Sequence, residues 1–261
     1  MTPAARQCLA DLLVAARREG RQLRALPDDL LPPTMSDGYA VNDLVAQGLG
    51  WPLLGWKIAA TTPIMQQRLR TSEPIYGRTY KPFEMLSPAH LPHAALLDPI
   101  VECEFFFRLG RDLPPRVTPY DADDVAEAVA SVHAGIEIAE CRFPLDCLPT
   151  IPAVLADGAA SGRYVVGAEI TDWRRRDLSA MTVRLEVGGT VRREGRGADV
   201  MGHPLAPLVW LANARSAWGD GLAAGALVST GTATGMLLAR AGDRMLARFG
   251  GEAAVELSFE R

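Results

Sequence analysis

The chain has 261 residues and a formal net charge of −4, with 48% hydrophobic and 22% charged residues. This balance is typical of a soluble globular protein and excludes a disordered chain. The basic residues are scattered, which excludes an extended nucleic-acid face, and no apolar run reaches the roughly 18 residues of a membrane span. The four cysteines form no CxxC pair and no hydrophobic signal segment precedes them, so we expect reduced thiols and a cytoplasmic protein.

The start of the chain has a helical pattern. Apolar residues recur at helical spacing in "PAARQCLADLLVAARREGRQLRAL", and a second helix is expected in "SDGYAVNDLVAQGL", with Ser36 or Asp37 as its N-cap. From Trp51 the pattern changes to that of strands. "LLGWKIAA" and "PIYGRTY" are expected to be extended, separated by a short helix that Thr62 and Pro63 begin.

Further strands and helices are expected along the rest of the chain. "VECEFFF" (Val101 to Phe107) reads as a buried strand, "DADDVAEAVASVHA" as a helix, and "GIEIAE" and "RYVVGAEI" as strands. "MTVRLEV" and "TVRREGR" predict a hairpin around Gly188 and Gly189. A helix in "PLAPLVWLANARSAW" precedes the strand "GALVST" and a closing strand pair in "RMLARFGGEAAVELSFE". Because strands and helices do not alternate regularly, we predict an α+β fold with a mixed, mainly antiparallel sheet and flanking helices.

No repeat or linker divides the sequence. We therefore predict a single domain over residues 1–261, made of a helical N-terminal segment at 1–50 and a β-rich core at 51–261.

Two carboxylates inside the apolar run "VECEFFF" need a physical explanation, because a buried charge is costly unless it is paired or binds a metal. Strand alternation puts Glu102 and Glu104 on one face, with Cα atoms about 6.5–7 Å apart, so both can reach one ion. Oxygen-only ligands favour Mg²⁺ or Mn²⁺, with Ca²⁺ as a further option, over zinc. In "GIEIAE", Glu137 shares a face with small residues and is the better third ligand, whereas Glu140 suits a supporting or strand-end position.

Several linked motifs, in the order "GWKIAATTPIMQQRL", "EPIYGR", "VECEFFF", "GIEIAECRF", "ADGAASGRYVVG", "GHPLAPLVWLAN" and "STGT", resemble the 2-keto-4-pentenoate hydratase and 4-oxalocrotonate decarboxylase family within the fumarylacetoacetase superfamily. The resemblance runs from about Gly55 to the C-terminus. It implies a β-rich core of the fumarylacetoacetase C-terminal type, homo-oligomers, and a Mg²⁺ or Mn²⁺ ion on Glu102, Glu104 and Glu137.

The resemblance also implies an activity. An ion with open positions can bind a 2-oxoacid and stabilise an enolate, so we expect a divalent-metal-dependent lyase of small 2-oxoacids. The expected reaction is hydration of 2-hydroxypenta-2,4-dienoate to 4-hydroxy-2-oxopentanoate in aromatic-compound degradation. The alternatives are a 2-oxo-3-hexenedioate (4-oxalocrotonate) decarboxylase, an acylpyruvate hydrolase and a non-catalytic binding protein. A complex with a pathway aldolase or decarboxylase is a further expectation, and neither nucleic acid nor a membrane is an expected partner.

Lys57 is the first candidate for a proton carrier or second positive contact. It stands between Trp56 and Ile58, where burial would lower its pKa, and the family has a lysine at this position. The alternative is an edge-strand lysine whose ammonium reaches water.

The segment around "PIYG" is expected beside the substrate on the strength of the resemblance. Glu73 could move protons there, and Tyr76 and Arg78 could bind substrate, Arg78 through its fork-shaped guanidinium. Related hydratases carry an aspartate where this chain has Ile75, which leaves the proton route open.

The remaining candidates lie in the second half of the chain. The resemblance gives a catalytic role to Arg142, with pairing to Glu140 as the alternative, and a substrate-binding role to Asp157, with a helix cap or turn as the alternative. Ser229, Thr230 and Thr232 of "STGT" bring hydroxyls to the end of a strand, suited to a substrate carboxylate. The four histidines form no cluster, and the pattern predicts His133 on a helix.

Overall fold

The computed structural model describes residues 1–261, which form six α-helices and thirteen β-strands. The helices are α1 (Pro3–Glu19), α2 (Met35–Leu49), α3 (Pro63–Leu69), α4 (Ala122–Ala128), α5 (Ile151–Ala156) and α6 (Ala206–Ala217). The strands are β1 (Leu53–Ala59), β2 (Ile75–Tyr80), β3 (Glu84–Leu86), β4 (Ala89–Leu91), β5 (Ile100–Leu109), β6 (Val129–Ala139), β7 (Arg163–Glu169), β8 (Thr182–Val187), β9 (Thr190–Arg196), β10 (Leu227–Ser229), β11 (Leu237–Leu238), β12 (Arg244–Phe249) and β13 (Ala253–Phe259). No helix combines the length and the apolar character that a membrane crossing requires.

Two sheets organise the molecule. The larger has eight strands in the order β2-β1-β10-β5-β6-β7-β3, with β11 also paired to β5, and the smaller has five in the order β4-β13-β12-β8-β9. The pairs β1–β10, β3–β7 and β4–β13 are parallel and the other pairs are antiparallel. The predicted α+β fold with a mixed, mainly antiparallel sheet is therefore confirmed.

The main core lies between the two sheets. One face of β5, formed by Val101, Cys103, Phe105 and Phe107, is fully buried in it. Phe105 meets Phe249 of β12 edge to face, with ring centroids 5.2 Å apart. Burying a phenylalanine side chain contributes about 1.5–3 kcal/mol. This packing fixes β5 and turns its other face, with Glu102 and Glu104, away from the core.

The N-terminal helices pack together over a second, smaller cluster that includes Leu9, Leu13 and Val45. α1 is shorter than predicted, because Gly20 ends it in a left-handed conformation at φ 62°. The predicted N-cap of α2 is wrong. Thr34 caps this helix and accepts from the Asp37 backbone N–H, while the Asp37 carboxylate pairs with the N-terminal ammonium and with Arg6.

The helix predicted in "DADDVAEAVASVHA" is wrong in its second half. α4 begins in a capping box between Asp121 and Asp124 and ends at Ala128, after which β6 runs without a loop. His133 is therefore a strand residue opposite Phe106 of β5. Pairing with β5 along the whole strand outweighs the helical preference of the alanines, a tertiary effect that local propensity does not contain.

The other expected elements agree with the structure. The β8–β9 hairpin turns at Gly188 and Gly189, which have φ 57° and 79° as a type I′ turn requires. Thr62 caps α3, and β12 and β13 form the closing pair.

Candidate active site

The chemically active side chains lie together on one face of five adjacent strands. Glu102 of β5 lies directly opposite Glu137 of β6, which in turn lies opposite Tyr164 of β7. On the other side, Lys57 of β1 lies opposite Ser229 of β10. Residues paired directly across a ladder share a face, so all five side chains project from the same side of the sheet.

The three carboxylates predicted as a group come together. One oxygen each from Glu102, Glu104 and Glu137 lies within 4.8 Å of the others. Glu104 and Glu137 are buried, and Glu102 is half-buried. Three acids this close, drawn from two strands, are suited to hold one cation.

Gly135 creates the space beneath this cluster. A Cβ at Gly135 would lie 2.6 Å from the ring of Phe106, which follows Glu102 and Glu104 on the same face of β5. The small residue beside Glu137 was expected to leave room for an ion. The structure shows that the aromatic ring of Phe106 fills that room and forms an apolar floor under the acids.

Lys57 is buried and paired with one of the acids. Its side chain is 3% exposed, and Nζ lies 3.1 Å from Glu137 Oε1 and donates to the Ala159 carbonyl, also at 3.1 Å. β1 lies between β2 and β10, so the edge-strand alternative is wrong. Burial acts to lower the pKa of Lys57, but the charges of Glu137, Glu102 and Glu104 outweigh it and raise the pKa to about 12. The expected lowering of the Lys57 pKa is therefore wrong. The three carboxylates that raise it come from other strands, and the sequence does not show that they lie next to Lys57.

The end of β10 holds Glu104 in position. The Ser229 hydroxyl donates to Glu104 Oε2 and lies 3.2 Å from Glu137 Oε2, and the Gly231 backbone N–H donates to Glu104 Oε2 at 2.9 Å. The other two hydroxyls of the motif do not join the carboxylates. Thr230 donates to the Phe105 carbonyl of the neighbouring strand β5, and Thr232 donates to the Gly235 carbonyl three residues further along the chain.

Tyr164 is a site residue that the sequence did not reveal. Its hydroxyl donates to Glu137 Oε1 at 3.2 Å and lies 3.0 Å from the Ser161 hydroxyl. Burial and the Glu137 charge raise the pKa of Tyr164 well above its ordinary range, so the phenol stays protonated. Tyr164 lies opposite Glu137 only because of the register in which β6 pairs with β7. The sequence of a single strand does not show that register.

The negative charge of the three carboxylates exceeds the positive charge that Lys57 brings to them. Burial raises the pKa of Glu102 to about 7, although the Lys57 ammonium opposes the shift. Burial and the neighbouring charges of Glu137 and Glu102 raise the pKa of Glu104 well above its usual value, and burial also raises the pKa of Glu137. One lysine faces three acids, so a hard dication with oxygen ligands fits the donor set.

Arg142 and Asp157 pair with each other, next to the cluster. Arg142 Nε and backbone N–H donate to Asp157 Oδ2 at 3.2 and 2.8 Å, and Arg17 from α1 lies 3.1 Å from Asp157 Oδ1. The alternative pairing of Arg142 with Glu140 is wrong. Glu140 pairs with Arg163 at 3.1 Å and accepts from the Leu97 N–H, as a strand-end residue.

Tyr76 and Arg78 do not reach the carboxylates within this chain. Gly77 is the β2 residue paired with Lys57, so its two neighbours project from the opposite face. Arg78 Nη1 lies 2.5 Å from Asp43 Oδ1, and the Tyr76 hydroxyl accepts from Arg215 at 3.1 Å. Strand alternation thus puts both side chains on the face opposite the cluster, and their role in substrate binding stays a prediction.

The segment before β2 contributes no acid to the cluster. Glu73 is exposed, and its backbone carbonyl accepts from the Thr71 hydroxyl. Ile75 is on the same face as Gly77 but is buried with Ala60, Leu155 and Ala159 in an apolar cluster. No histidine belongs to the carboxylate group.

Comparisons with known proteins give a consistent result. The fumarylacetoacetate (FAA) hydrolase C-terminal family model matches residues 87–258. A 2-keto-4-pentenoate hydratase of Paraburkholderia xenovorans (strain LB400) is 32% identical over 263 residues, which cover 100% of this chain and 97% of the relative. The 4-oxalocrotonate decarboxylase from Pseudomonas putida G7 has been solved with calcium and acetate and with magnesium and adipate. These structures have TM-scores of 0.89 and 0.88 at 25% identity, each covering 99% of this chain and 98% of the neighbour.

Proposed function

The chain belongs to the fumarylacetoacetate hydrolase family, and on that premise we propose that it is a divalent-metal-dependent hydro-lyase. The proposed reaction is the hydration of 2-hydroxypenta-2,4-dienoate (2-keto-4-pentenoate) to 4-hydroxy-2-oxopentanoate in the degradation of aromatic compounds. The relative at 32% identity, which carries the hydratase name, is matched over almost its whole length. The observation that carries the proposal is the group of Glu102, Glu104 and Glu137, with Lys57 at its side.

We propose that these three glutamates hold Mg²⁺ or Mn²⁺. The donor set supports this choice, since it consists of carboxylate oxygens without histidine or cysteine. The raised pKa values of the acids support it as well, because they reflect negative charge that Lys57 alone does not offset. When bound, the ion would draw negative charge toward the 2-oxygen of the substrate as the dienol becomes a 2-oxoacid.

The residues around the cluster have supporting tasks in this proposal. Ser229 and the Gly231 N–H orient Glu104, and Tyr164 orients Glu137, so that the acids need not reorganise on binding. Lys57 is the proposed catalytic residue. Its ammonium is a hydrogen-bond donor and a positive charge within reach of the cluster, suited to hold the substrate oxygen. It would hand over a proton only with the negative charge of the three acids, which raises its pKa to about 12, taken up by a bound dication.

The proton route does not pass through position 75, because Ile75 has no ionisable group. Glu73 is exposed at the start of β2 and stays a candidate only for proton exchange with solvent. Arg142 is committed to Asp157 and to the Ser161 carbonyl at 2.9 Å, so we propose that it supports the site without touching substrate.

The second candidate function is decarboxylation of 2-oxo-3-hexenedioate. It is favoured by the overall similarity to the 4-oxalocrotonate decarboxylase structures, with a TM-score of 0.89. The higher sequence identity to the hydratase favours hydration.

The experiment that tests the proposal is an assay of the purified protein with Mg²⁺ or Mn²⁺. Loss of dienoate absorbance without release of CO₂ is the expected result. Release of CO₂ from 2-oxo-3-hexenedioate at a higher kcat/KM would favour the decarboxylase, and binding of either acid without turnover would favour a binding protein.

A further inference from the structure

Arg17 is a buried cation from a part of the chain that lies outside the matched residues 87–258. It stands in the last turn of α1, and its side chain is 3% exposed. Nη2 lies 3.1 Å from Asp157 Oδ1, and Nη1 donates to the Ser161 carbonyl at 3.4 Å. Nη2 also donates to the Asp157 carbonyl. All these contacts fall on residues 157–161.

Arg142 contacts the same segment, residues 157–161. Its Nε donates to Asp157 Oδ2 at 3.2 Å, and Nη2 donates to the Ser161 carbonyl at 2.9 Å. The two guanidinium groups together bind both oxygens of one fully buried carboxylate and one shared carbonyl. The buried carboxylate of Asp157 is held by an ion pair with Arg17 and by charge-assisted hydrogen bonds from Arg142, which are about twice as strong as neutral ones.

The segment that Arg17 and Arg142 contact, residues 157–161, has a strained backbone. Ala159 and Ala160 have φ 55° and 60°, so two consecutive residues with a Cβ adopt the left-handed conformation. Such a conformation persists only where the surrounding structure over-determines it. Arg17 and Arg142 contact Asp157 and Ser161, which flank the strained pair on its two sides in the chain.

The strained segment touches the active site at two points. The Ala159 carbonyl accepts from Lys57 Nζ at 3.1 Å. The Ser161 hydroxyl lies 3.0 Å from the Tyr164 hydroxyl, which donates to Glu137. A change in the backbone of residues 159–161 therefore moves the partners of both Lys57 and Glu137.

We propose that Arg17 is a positioning residue of the active site, which together with Arg142 holds residues 157–161 in the strained conformation that orients Lys57. The N-terminal helix α1 thereby forms part of the catalytic apparatus. The effect on turnover rests on the proposed hydratase function, whereas the effect on Lys57 does not.

The test uses the full chain with Mg²⁺ and compares wild type with Arg17→Met and Arg17→Lys. Arg18→Met is the matched control, because Arg18 is the next residue on α1, is exposed, and only donates to the Gly48 carbonyl. Lys57 and Lys81 are the only lysines in the chain. Protein labelled with ¹³C at the lysine ε-carbon therefore gives one NMR signal from the site and one reference signal from the surface.

We expect Arg17→Met to shift or broaden the Lys57 signal while the Lys81 signal stays in place. We also expect kcat to fall on the order of tenfold with KM within about twofold, since small misplacements of a catalytic group cost 10- to 100-fold. Arg17→Lys keeps the charge but loses the fork that reaches two acceptors, so it should move the same signal with a smaller loss of kcat. The third lysine signal that this variant adds is identified because it remains in the double variant Arg17→Lys, Lys57→Met. Arg18→Met should change neither.

An unmoved Lys57 signal in a folded Arg17 variant overturns the proposal, whether or not the melting temperature or kcat falls. If Arg17→Met does not fold, the Arg17→Lys spectrum decides by the same criterion. Absence of hydratase activity in the wild type would contradict the proposed function but leaves the NMR comparison intact, so the two failures are distinguishable.

Discussion

Lys57 and Glu137 form a buried ion pair, with Nζ 3.1 Å from Oε1 and both side chains at most 3% exposed. Glu137 is also one of the three clustered carboxylates. The same acid therefore connects the proposed metal ligands to the proposed proton carrier, and substitutions on the two sides should have separable effects.

Replacing Lys57 by methionine should abolish most of the turnover without weakening the metal site. The loss of a positioned acid–base group lowers kcat by about 10²- to 10⁴-fold. The affinity for Mn²⁺ should stay the same or increase, because a competing cation beside Glu137 has been removed. Calorimetric titration with Mn²⁺ and steady-state kinetics measure the two effects. The control is Lys81→Met, which changes a surface lysine paired with Glu84. A Lys57→Met enzyme with wild-type kcat would contradict the role of Lys57.

Glu104→Gln should remove metal binding and keep the fold. The substitution preserves shape but takes away one negative charge, so the Mn²⁺ affinity should fall by two orders of magnitude or more, while the metal-free protein becomes more stable because a crowded carboxylate is gone. Calorimetry and thermal unfolding in chelator measure these two quantities. Unchanged Mn²⁺ affinity would show that Glu104 is not a ligand.

Metal affinity should rise with pH. The folded-state pKa of Glu102 is about 7, above its ordinary 4.5, so the metal-free fold keeps a proton that the unfolded chain has already released between these two values. The free energy of unfolding of the metal-free protein should therefore fall as pH rises from about 4.5 to 7. Because the metal binds the ionised carboxylates, the proton on Glu102 should make its affinity increase by up to about tenfold per pH unit below pH 7, with a smaller slope as the pH passes 7. A Mn²⁺ affinity that is flat between pH 5.5 and 7.5 would contradict the raised pKa.

Ser229 and Thr230 are adjacent hydroxyl residues with different expected roles. Ser229→Ala should weaken Mn²⁺ binding, on the order of tenfold, because Glu104 loses a charge-assisted hydrogen bond. Thr230→Val should lower the free energy of unfolding by about 1 kcal/mol through the lost bond to the Phe105 carbonyl and leave Mn²⁺ affinity intact. Calorimetry and urea unfolding on both variants measure this contrast. Equal effects of the two substitutions on metal affinity would argue against it.

Position 75 should be structural in this chain. Ile75→Val should cost about 0.5–1.5 kcal/mol of stability and keep kcat within about twofold, because the side chain only fills an apolar cluster. Ile75→Asp should cost more, about 2 kcal/mol or above, since it would put a carboxylate into an apolar cluster. Urea unfolding and kinetics check both variants, and a tenfold loss of kcat in Ile75→Val would assign the residue to the reaction.

The sequence was sufficient to predict that the three carboxylates come together. Alternation puts Glu102 and Glu104 on one face of β5. On β6, alternation together with the small residues on its face selects Glu137 over Glu140, so the meeting of the three acids needed only that the two strands be neighbours. Hydrophobic pattern and turn residues were likewise enough for the β8–β9 hairpin and for the α+β class.

Register and tertiary pairing lay beyond the sequence. Tyr164 lies beside Glu137 only because β7 pairs with β6 at that residue, and Tyr76 and Arg78 face away from the carboxylates only because Gly77 is the residue paired with Lys57. The partner of Arg142 is 15 residues away, and that of Arg17 is 140 residues away, so no local pattern identifies either. The pKa of Lys57 rises instead of falling for the same reason, because it depends on three charges from other strands.

The most direct test of the account is an anomalous diffraction measurement on crystals of this protein grown with Mn²⁺. The account predicts a single strong anomalous peak bound by oxygens of Glu102, Glu104 and Glu137, which is lost in Glu104→Gln. A peak at other residues, or no peak at saturating Mn²⁺, would contradict it.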